Sequence, residues 1–296
     1  MTTLAHITDL HLPLHGRLRR GELISKRAFS ALNWARKRRR THLVEVAEAL
    51  AADLVAHAPD HTAVTGDTVN FGLPREFEAG AAWIDRFGAP QDVSFVPGNH
   101  EAILKNVEAK RDAAFARFAT GDDGVTGYPW IRRRNEIALI GVSTSVSTPP
   151  LFAQGRVGAV QLEALGNALQ ATKGLCRVIL IHHPPSGPCK PRKRLLDADA
   201  FRSVLAEHGA ELVLHGHNHK ALLSWIDTCD GRTPVIGAPS ASIGHGWRDH
   251  PAEWRLFEIE KCADGFDIHM RRRRITKSNG VEDYGTFRLS QPLLPA

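Results

Sequence analysis

Long apolar runs are missing from this 296-residue chain, and their absence excludes a membrane-spanning helix. The longest, such as Val178 to Ile181, fall far short of the roughly 20 residues that a spanning helix needs. Met1 to Ile7 carries no basic region followed by a long apolar stretch, so a secretory leader is not expected. Cysteine is scarce. Cys176, Cys189, Cys229 and Cys262 are too scattered for a thiolate metal site or a redox pair, and they read as free thiols in a reducing, cytoplasmic compartment. Charge is not extreme either. A hydrophobic content of 43% and a charged content of 24% exclude disordered and fibrous classes.

What is present is an alternation of strand and helix patterns. The length permits one large domain or two ordinary ones. No internal repeat or low-complexity linker divides the chain, so a single domain over 1–296 is expected. Apolar leads at Leu4 to Ile7, Thr62 to Val64, Val93 to Val96, Val178 to Ile181 and Leu212 to Leu214 read as buried strands. Helical spacing marks 42–58, 75–87, 101–118, 159–171 and 198–208, and strand-helix repeats imply a parallel sheet with right-handed crossovers. Pro234 to Gly237, Arg255 to Ile259, Phe266 to Met270 and Thr286 to Leu289 read as strands of a second-sheet region spanning about 234–296.

Five short stretches follow those apolar leads: Asp9-Leu10-His11, Gly66-Asp67, Gly98-Asn99-His100-Glu101, His182-His183 and Gly216-His217-Asn218-His219. Loops leaving the carboxyl ends of parallel strands line one crevice, where residues distant in sequence meet. Asp9 and His11 stand two apart, so at a strand end both side chains point the same way. Asp67 offers a carboxylate able to sit between two cations. Asn99 adds an amide oxygen, and His182, His217 and His219 add imidazole nitrogens. This mixed oxygen and nitrogen set suits Mn, Fe, Zn or Co, whereas the imidazoles disfavour Mg and Ca. His183 faces away from His182 by strand alternation and reads as support, as does His215.

In this order the motifs closely resemble the calcineurin-like metallophosphoesterase superfamily, and most of all bacterial class III cyclic nucleotide phosphodiesterases and glycerophosphodiesterases. The resemblance runs from Asp9 to His219. It implies a four-layer α/β/β/α sandwich with two divalent metals. Asp9, His11, Asp67 and His219 would hold the first ion, and Asp67, Asn99, His182 and His217 the second. His100 would be the acid that binds no metal. The reaction implied is hydrolysis of a phosphodiester by hydroxide formed on the paired metals.

Substrate choice is expected to rest on 14–41, a basic insertion after the first strand in which ten arginines and lysines face Glu22 alone. Ser25 reads as the cap of a helix with Ala28, Ala31, Leu32 and Ala35 as its stripe, flanked by Phe29 and Trp34. Arg36, Arg38, Arg39 and Arg40 are candidate substrate- or surface-binding residues. With a net charge of +6 they point to an anionic partner. An alternative expectation places the insertion on an anionic membrane at its inner face, making the chain a phospholipase C-like or lipid-nucleotide hydrolase. A non-enzyme alternative is a nucleic-acid-binding module resting on Arg36 to Arg40 and Arg271 to Arg274.

Overall fold

A computed structural model describes residues 1–14, 16–23, 26–246 and 250–289. Its strands are β1 (Thr2–Ile7), β2 (His61–Val64), β3 (Val93–Phe95), β4 (Trp130–Arg134), β5 (Ile137–Gly141), β6 (Cys176–Leu180), β7 (Leu212–His215), β8 (Leu222–Thr228), β9 (Gly231–Gly237), β10 (Glu253–Cys262), β11 (Gly265–Ile275) and β12 (Val281–Arg288). They form two six-stranded sheets, ordered β12-β11-β10-β1-β2-β3 and β4-β5-β6-β7-β9-β8. The helices are α1 (Lys26–Asn33), α2 (Arg39–Thr41), α3 (Val44–Ala56), α4 (Pro74–Ile84), α5 (Glu108–Phe115), α6 (Ala159–Ala171) and α7 (Ala198–His208), with a π turn at Trp34–Arg38.

Three cores separate four layers. Leu4, Ala63 and Val96 meet Val178, Leu180, Leu212, Leu214 and Ile236 between the sheets. Val46, Leu50 and Leu54 of α3 and Phe77 of α4 pack on Ile7, Val64 and Phe95 at the outer face of the first sheet. Leu165 and Leu169 of α6 with Phe201 and Leu205 of α7 cover Ile179, Val213 and Val235 of the second. Strands covered on both faces carry unbroken apolar runs, which is why these leads were readable. The observed architecture is the expected α/β/β/α sandwich.

β1, β2 and β3 run parallel, as do β5, β6, β7 and β9, and their carboxyl ends open onto one edge. Gly66 and Gly98 let two of these ends touch. A Cβ on Gly66, whose φ is +85°, would stand 2.3 Å from the Gly98 nitrogen.

The second-sheet reading of 234–296 is corrected in part. β9 does lie in the second sheet, but β10, β11 and β12 extend the first, with Leu4 opposite Phe257 in an antiparallel register. The hydrophobic pattern marks a strand without marking its neighbour, and here Phe257 and Ile259 fill the core between the sheets while Trp254 and Leu256 face α3. β4 and β8 lacked an apolar pattern because their burial is partial. The helix expected over 101–118 shrinks to α5 flanked by 3-10 turns.

The insertion departs most from expectation. Arg27 is the buried residue of α1, its guanidinium donating to the carbonyls of Phe71 and Gly72 at 2.9 and 2.7 Å. Ala28, Leu32 and Ala35 of the expected stripe are exposed, with Phe29 at 51% and Leu32 at 49%. A buried arginine satisfied by two carbonyls outweighs a weak alanine-rich stripe. The cap expected at Ser25 lies outside the described residues.

Candidate metal centre

At the shared edge, Asp9, His11, Asp67 and His219 bring ligand atoms within 4.8 Å of one another, and so do Asp67, His182 and His217. Asp67 belongs to both groups. Its Oδ2 lies 3.9 Å from His11 Nε2 and 3.4 Å from His182 Nε2. His11 Nε2 and His219 Nε2 face each other at 3.2 Å, and Asp9 Oδ1 stands 3.1 Å from His219 Nε2.

In each of five of these residues one polar atom is tied to the protein, which leaves the other free to face an ion. Asp9 Oδ2 accepts from Thr8 Oγ1 and from the His217 N–H, both at 2.9 Å, leaving Oδ1. Asp67 Oδ1 accepts from the His100 N–H at 2.8 Å, leaving Oδ2. His11 Nδ1 meets the Val69 carbonyl at 3.3 Å, and His182 Nδ1 meets the Thr65 carbonyl at 2.6 Å, which frees Nε2 in both. His217 is reversed: Nε2 donates to the Lys193 carbonyl at 2.9 Å, and Nδ1 is free. Asp9 Oδ1, His182 Nε2 and His217 Nδ1 are buried without a hydrogen-bond partner. A buried polar atom left unmatched costs about 1–3 kcal/mol. Two divalent cations would satisfy all three, so the donor set fits the expected group.

The electrostatics agree. Burial alone would raise the Asp67 carboxyl, yet His182 and His100 hold it well below the usual carboxylate range. His182 is pushed up to about 9, burial being overcome by Asp67. Both shifts come from the close approach of carboxylate and imidazoles, the donor types a divalent cation takes.

Asp9 and His11 converge for a reason other than strand alternation. Both lie beyond the end of β1 in left-handed backbone, with φ of 54° and 44°. Asn99 is half-buried between Gly98 and His100, whose N–H holds Asp67. His183 uses both ring nitrogens, on Thr144 Oγ1 at 2.7 Å and the Ala153 carbonyl at 3.2 Å, and packs 4.2 Å from the His217 ring.

His100 Nδ1 donates to the Asn70 carbonyl at 2.8 Å, so its Nε2 accepts from Arg38 Nη1 at 2.7 Å. Burial, then Arg38, lower this imidazole to about 3. The four candidate arginines therefore separate. Arg38 reaches the site, whereas Arg36, Arg39 and Arg40 are exposed. Arg271 to Arg274 are paired within their own sheet and its helix, with Glu258, Glu253, Asp53 and Glu253 in turn.

Sequence reasoning missed three residues. Glu101 sits inside a quoted motif but had no role. Its carboxylate accepts the N–H groups of Asp67, Thr68 and Gly98 at 2.7 to 2.9 Å, locking the two loops together. Lys193 and His42 carry no motif. Lys193 is lowered by burial first and then by Arg38, while Asp9 and Asp67 act to raise it. His42 closes a further group with His11 and His219.

No curated protein is similar enough in sequence to count as a match. Among solved structures, the NAD nucleotidase of Haemophilus influenzae superposes with a TM-score of 0.53 at 13% identity, over 96% of this chain and 53% of that one. The sulfate thiohydrolase SoxB of Thermus thermophilus gives 0.48 at 18% identity, over 99% and 57%. The chain thus spans just over half the length of these two proteins. At such identities the first likeness shows the fold alone. The family model described as calcineurin-like phosphoesterase matches residues 2–221, which contain every ligand of both clusters, and the chain belongs to that family.

Proposed function

We propose that this metal-dependent phosphoesterase cleaves phosphodiesters, with Asp9, His11, Asp67 and His219 holding one divalent cation and Asp67, Asn99, His182 and His217 a second. The observation that carries the site is that three of the buried polar atoms without a hydrogen-bond partner, Asp9 Oδ1, His182 Nε2 and His217 Nδ1, lie in the two clusters that share Asp67. Such a metal pair supplies an activated water and neutralises phosphoryl charge.

The residues around it do the rest. Arg38 is a cation beside the metal cradle, able to pair with phosphoryl oxygens. In the free enzyme it donates to His100 Nε2, which keeps that nitrogen an acceptor. His100 can protonate a leaving alkoxide from Nε2 only after Arg38 turns to the substrate and Nε2 takes up a proton from water. The substrate phosphate thus frees Nε2 for that proton, and the gain from such an acid is largest for a poor leaving group such as an alkoxide. Lys193 adds a second cation beside Arg38.

The test is a pair of substrates sharing one leaving group, bis-p-nitrophenyl phosphate and p-nitrophenyl phosphate, assayed with Mn. Faster turnover of the diester is expected. A monoester preferred more than tenfold would refute the diester reading and leave the site intact. Asp67→Ala and His217→Ala should abolish both activities, and full activity in either would refute the site.

Exposed Phe29 and Leu32, with Leu151 at 68% and Phe152 at 43%, favour a second reading about where substrate is met. Lys26 Nζ joins the two segments through Thr148 Oγ1 and the Phe152 carbonyl. Apolar tips beside exposed Arg36, Arg39 and Arg40 suit an anionic lipid surface. Sedimentation with anionic liposomes, weakened by salt and by Phe29→Ser with Leu32→Ser, is the expected result. No sedimentation at low salt removes this reading.

A further inference from the structure

We infer that His42 is a further protein ligand of the cation at Asp9, His11, Asp67 and His219, an assignment that rests on the dinuclear reading above. His42 lies where the basic insertion ends and α3 begins, and its backbone is fixed on both sides. Its N–H donates to the Arg38 carbonyl at 2.8 Å, Leu43 N–H to the Ser242 carbonyl at 2.8 Å, and Gly244 N–H to the Thr41 carbonyl at 3.3 Å. His42 and Ile243 form an isolated antiparallel bridge.

A chain of hydrogen bonds provides the tautomer that this assignment requires. The Asp9 carbonyl can only accept, so Ser240 Oγ, 2.6 Å away, spends its proton there. Ser242 Oγ lies 3.2 Å from Ser240 Oγ and 3.5 Å from the same carbonyl, and the assignment requires its proton to go to one of these and not to His42 Nδ1. Ser242 Oγ must then accept from His42, whose Nδ1 is 2.7 Å away. Nδ1 therefore carries the proton and Nε2 carries a lone pair. Among the described residues, no hydrogen bond is made to Nε2.

That lone pair sits in the right company. The His42 ring centroid is 4.5 Å from that of His11 and 5.5 Å from that of His219, and one nitrogen of each of the three falls within 4.8 Å of the others. An imidazole whose other nitrogen donates to a fixed oxygen is the usual arrangement of a metal-bound histidine. Three imidazoles with two carboxylates remain within the preferences of Mn, Fe, Co and Zn.

Two consequences follow. The two ions become unequal, since the one near His42 has fewer positions open to substrate. The insertion is also tethered to the metal, because Arg38 lies one turn before His42 and is bonded to it through the backbone. Metal occupancy would then fix the height of Arg38 over the site.

Metal-free full-length protein titrated with Mn or Co in a calorimeter tests the assignment. The wild type should take up two ions; uptake of fewer would sink the dinuclear reading itself, apart from His42. With two bound, His42→Ala should weaken one step about tenfold or more and leave the other unchanged. Added imidazole should restore the weakened step, and the visible spectrum of the Co-loaded protein should change with it. His42→Asn serves if the alanine variant fails to melt cooperatively. Two unchanged steps in a folded variant would overturn the assignment. Should neither variant fold, X-ray absorption of the Co-loaded wild type counts its nitrogen neighbours at about 2.1 Å. Four imidazoles shared by two ions, where the assignment requires five, would also overturn it.

Discussion

Replacing Gly98 with alanine adds one methyl group where the two clusters share Asp67. The new Cβ would stand 2.3 Å from Asp67 Oδ1, 2.7 Å from the Asp67 nitrogen and 2.7 Å from His182 Cε1. Ordinary contact begins near ~3.5 Å, so the carboxylate must retreat by about 1 Å. Neither backbone can give way easily. The N–H groups of Gly98 and Asp67 both donate to Glu101 Oε2, at 2.8 and 2.9 Å, and Glu101 is fully buried. Gly98 has no positive φ, so the perturbation is steric and carries no backbone penalty. Overpacking of this kind costs about 1–3 kcal/mol of stability, and a shift near 1 Å in a positioning group costs about 100-fold in rate. The expected result is a fall of that size in kcat/KM for bis-p-nitrophenyl phosphate with Mn, together with weaker metal binding by calorimetry. Gly21→Ala is the control, because its Cβ meets nothing within 4 Å. Activity within threefold of wild type and normal uptake of two ions in Gly98→Ala would show that Asp67 and His182 are not packed as described.

The four arginines of the insertion should separate in kinetics as they do in space: Arg38→Met is expected to lower kcat/KM about 100-fold, while Arg36→Ala, Arg39→Ala and Arg40→Ala stay within about threefold. Equal losses in all four would point to a diffuse surface effect. Glu101→Gln places an amide donor against the N–H groups that Glu101 now accepts, and a loss of about 2–4 kcal/mol in urea denaturation is expected. Stability should also depend on His61, buried at the start of β2 with Nε2 2.8 Å from Ser94 Oγ and lowered to about 3 by burial and then by Arg134 and Arg132. A depressed histidine leaves stability intact above about pH 6.5 and erodes it as pH falls toward 3. By pH 5 the loss is about 2 kcal/mol. His61→Gln should flatten that slope between pH 6.5 and 5, and an unchanged slope would assign the acid sensitivity elsewhere.

The layers and the five loops were legible because strands covered on both faces leave unbroken apolar runs, and because the ligand stretches directly follow them. Partner choice was not legible. Arg255 to Ile259 announces a strand, but nothing in it says that β10 lies against β1 and not in the other sheet. Nor does a period-3.6 reading of Ala28, Ala31, Leu32 and Ala35 foresee that Arg27 takes the buried face by donating to Phe71 and Gly72. In the site, the motifs gave the metal-binding candidates but no role for Glu101, and outside them Arg38 was found while Lys193 and His42 were not. His42 reads in sequence as the first residue of an amphipathic helix, and only the Ser240, Ser242 and Asp9 chain gives its ring a direction.

The backbone shows how the site is held. Asp9, His11, Asp67, His217 and His219 all have φ between 44° and 68°, and among the described residues they make up five of the nine non-glycine residues with positive φ. This conformation costs roughly 1–2 kcal/mol for most residues. Strain concentrated on ligands needs support from behind, and the hydrogen bonds supply it. The β1–β2 pairing continues past both strands, with Asp9 N–H on the Gly66 carbonyl at 2.9 Å, His11 on Asp67 at 3.0 Å and Leu12 on Thr68 at 2.9 Å. Across the other sheet, Gly216 N–H reaches the His182 carbonyl at 3.2 Å and Ala238 N–H the His215 carbonyl at 3.2 Å, while Ala241 N–H crosses to Thr8 at 3.0 Å. The loops are thus zipped to one another and across the two sheets. The ligands stay pointed inward because the protein's own bonds over-determine them, and binding free energy is not spent on ordering the cradle.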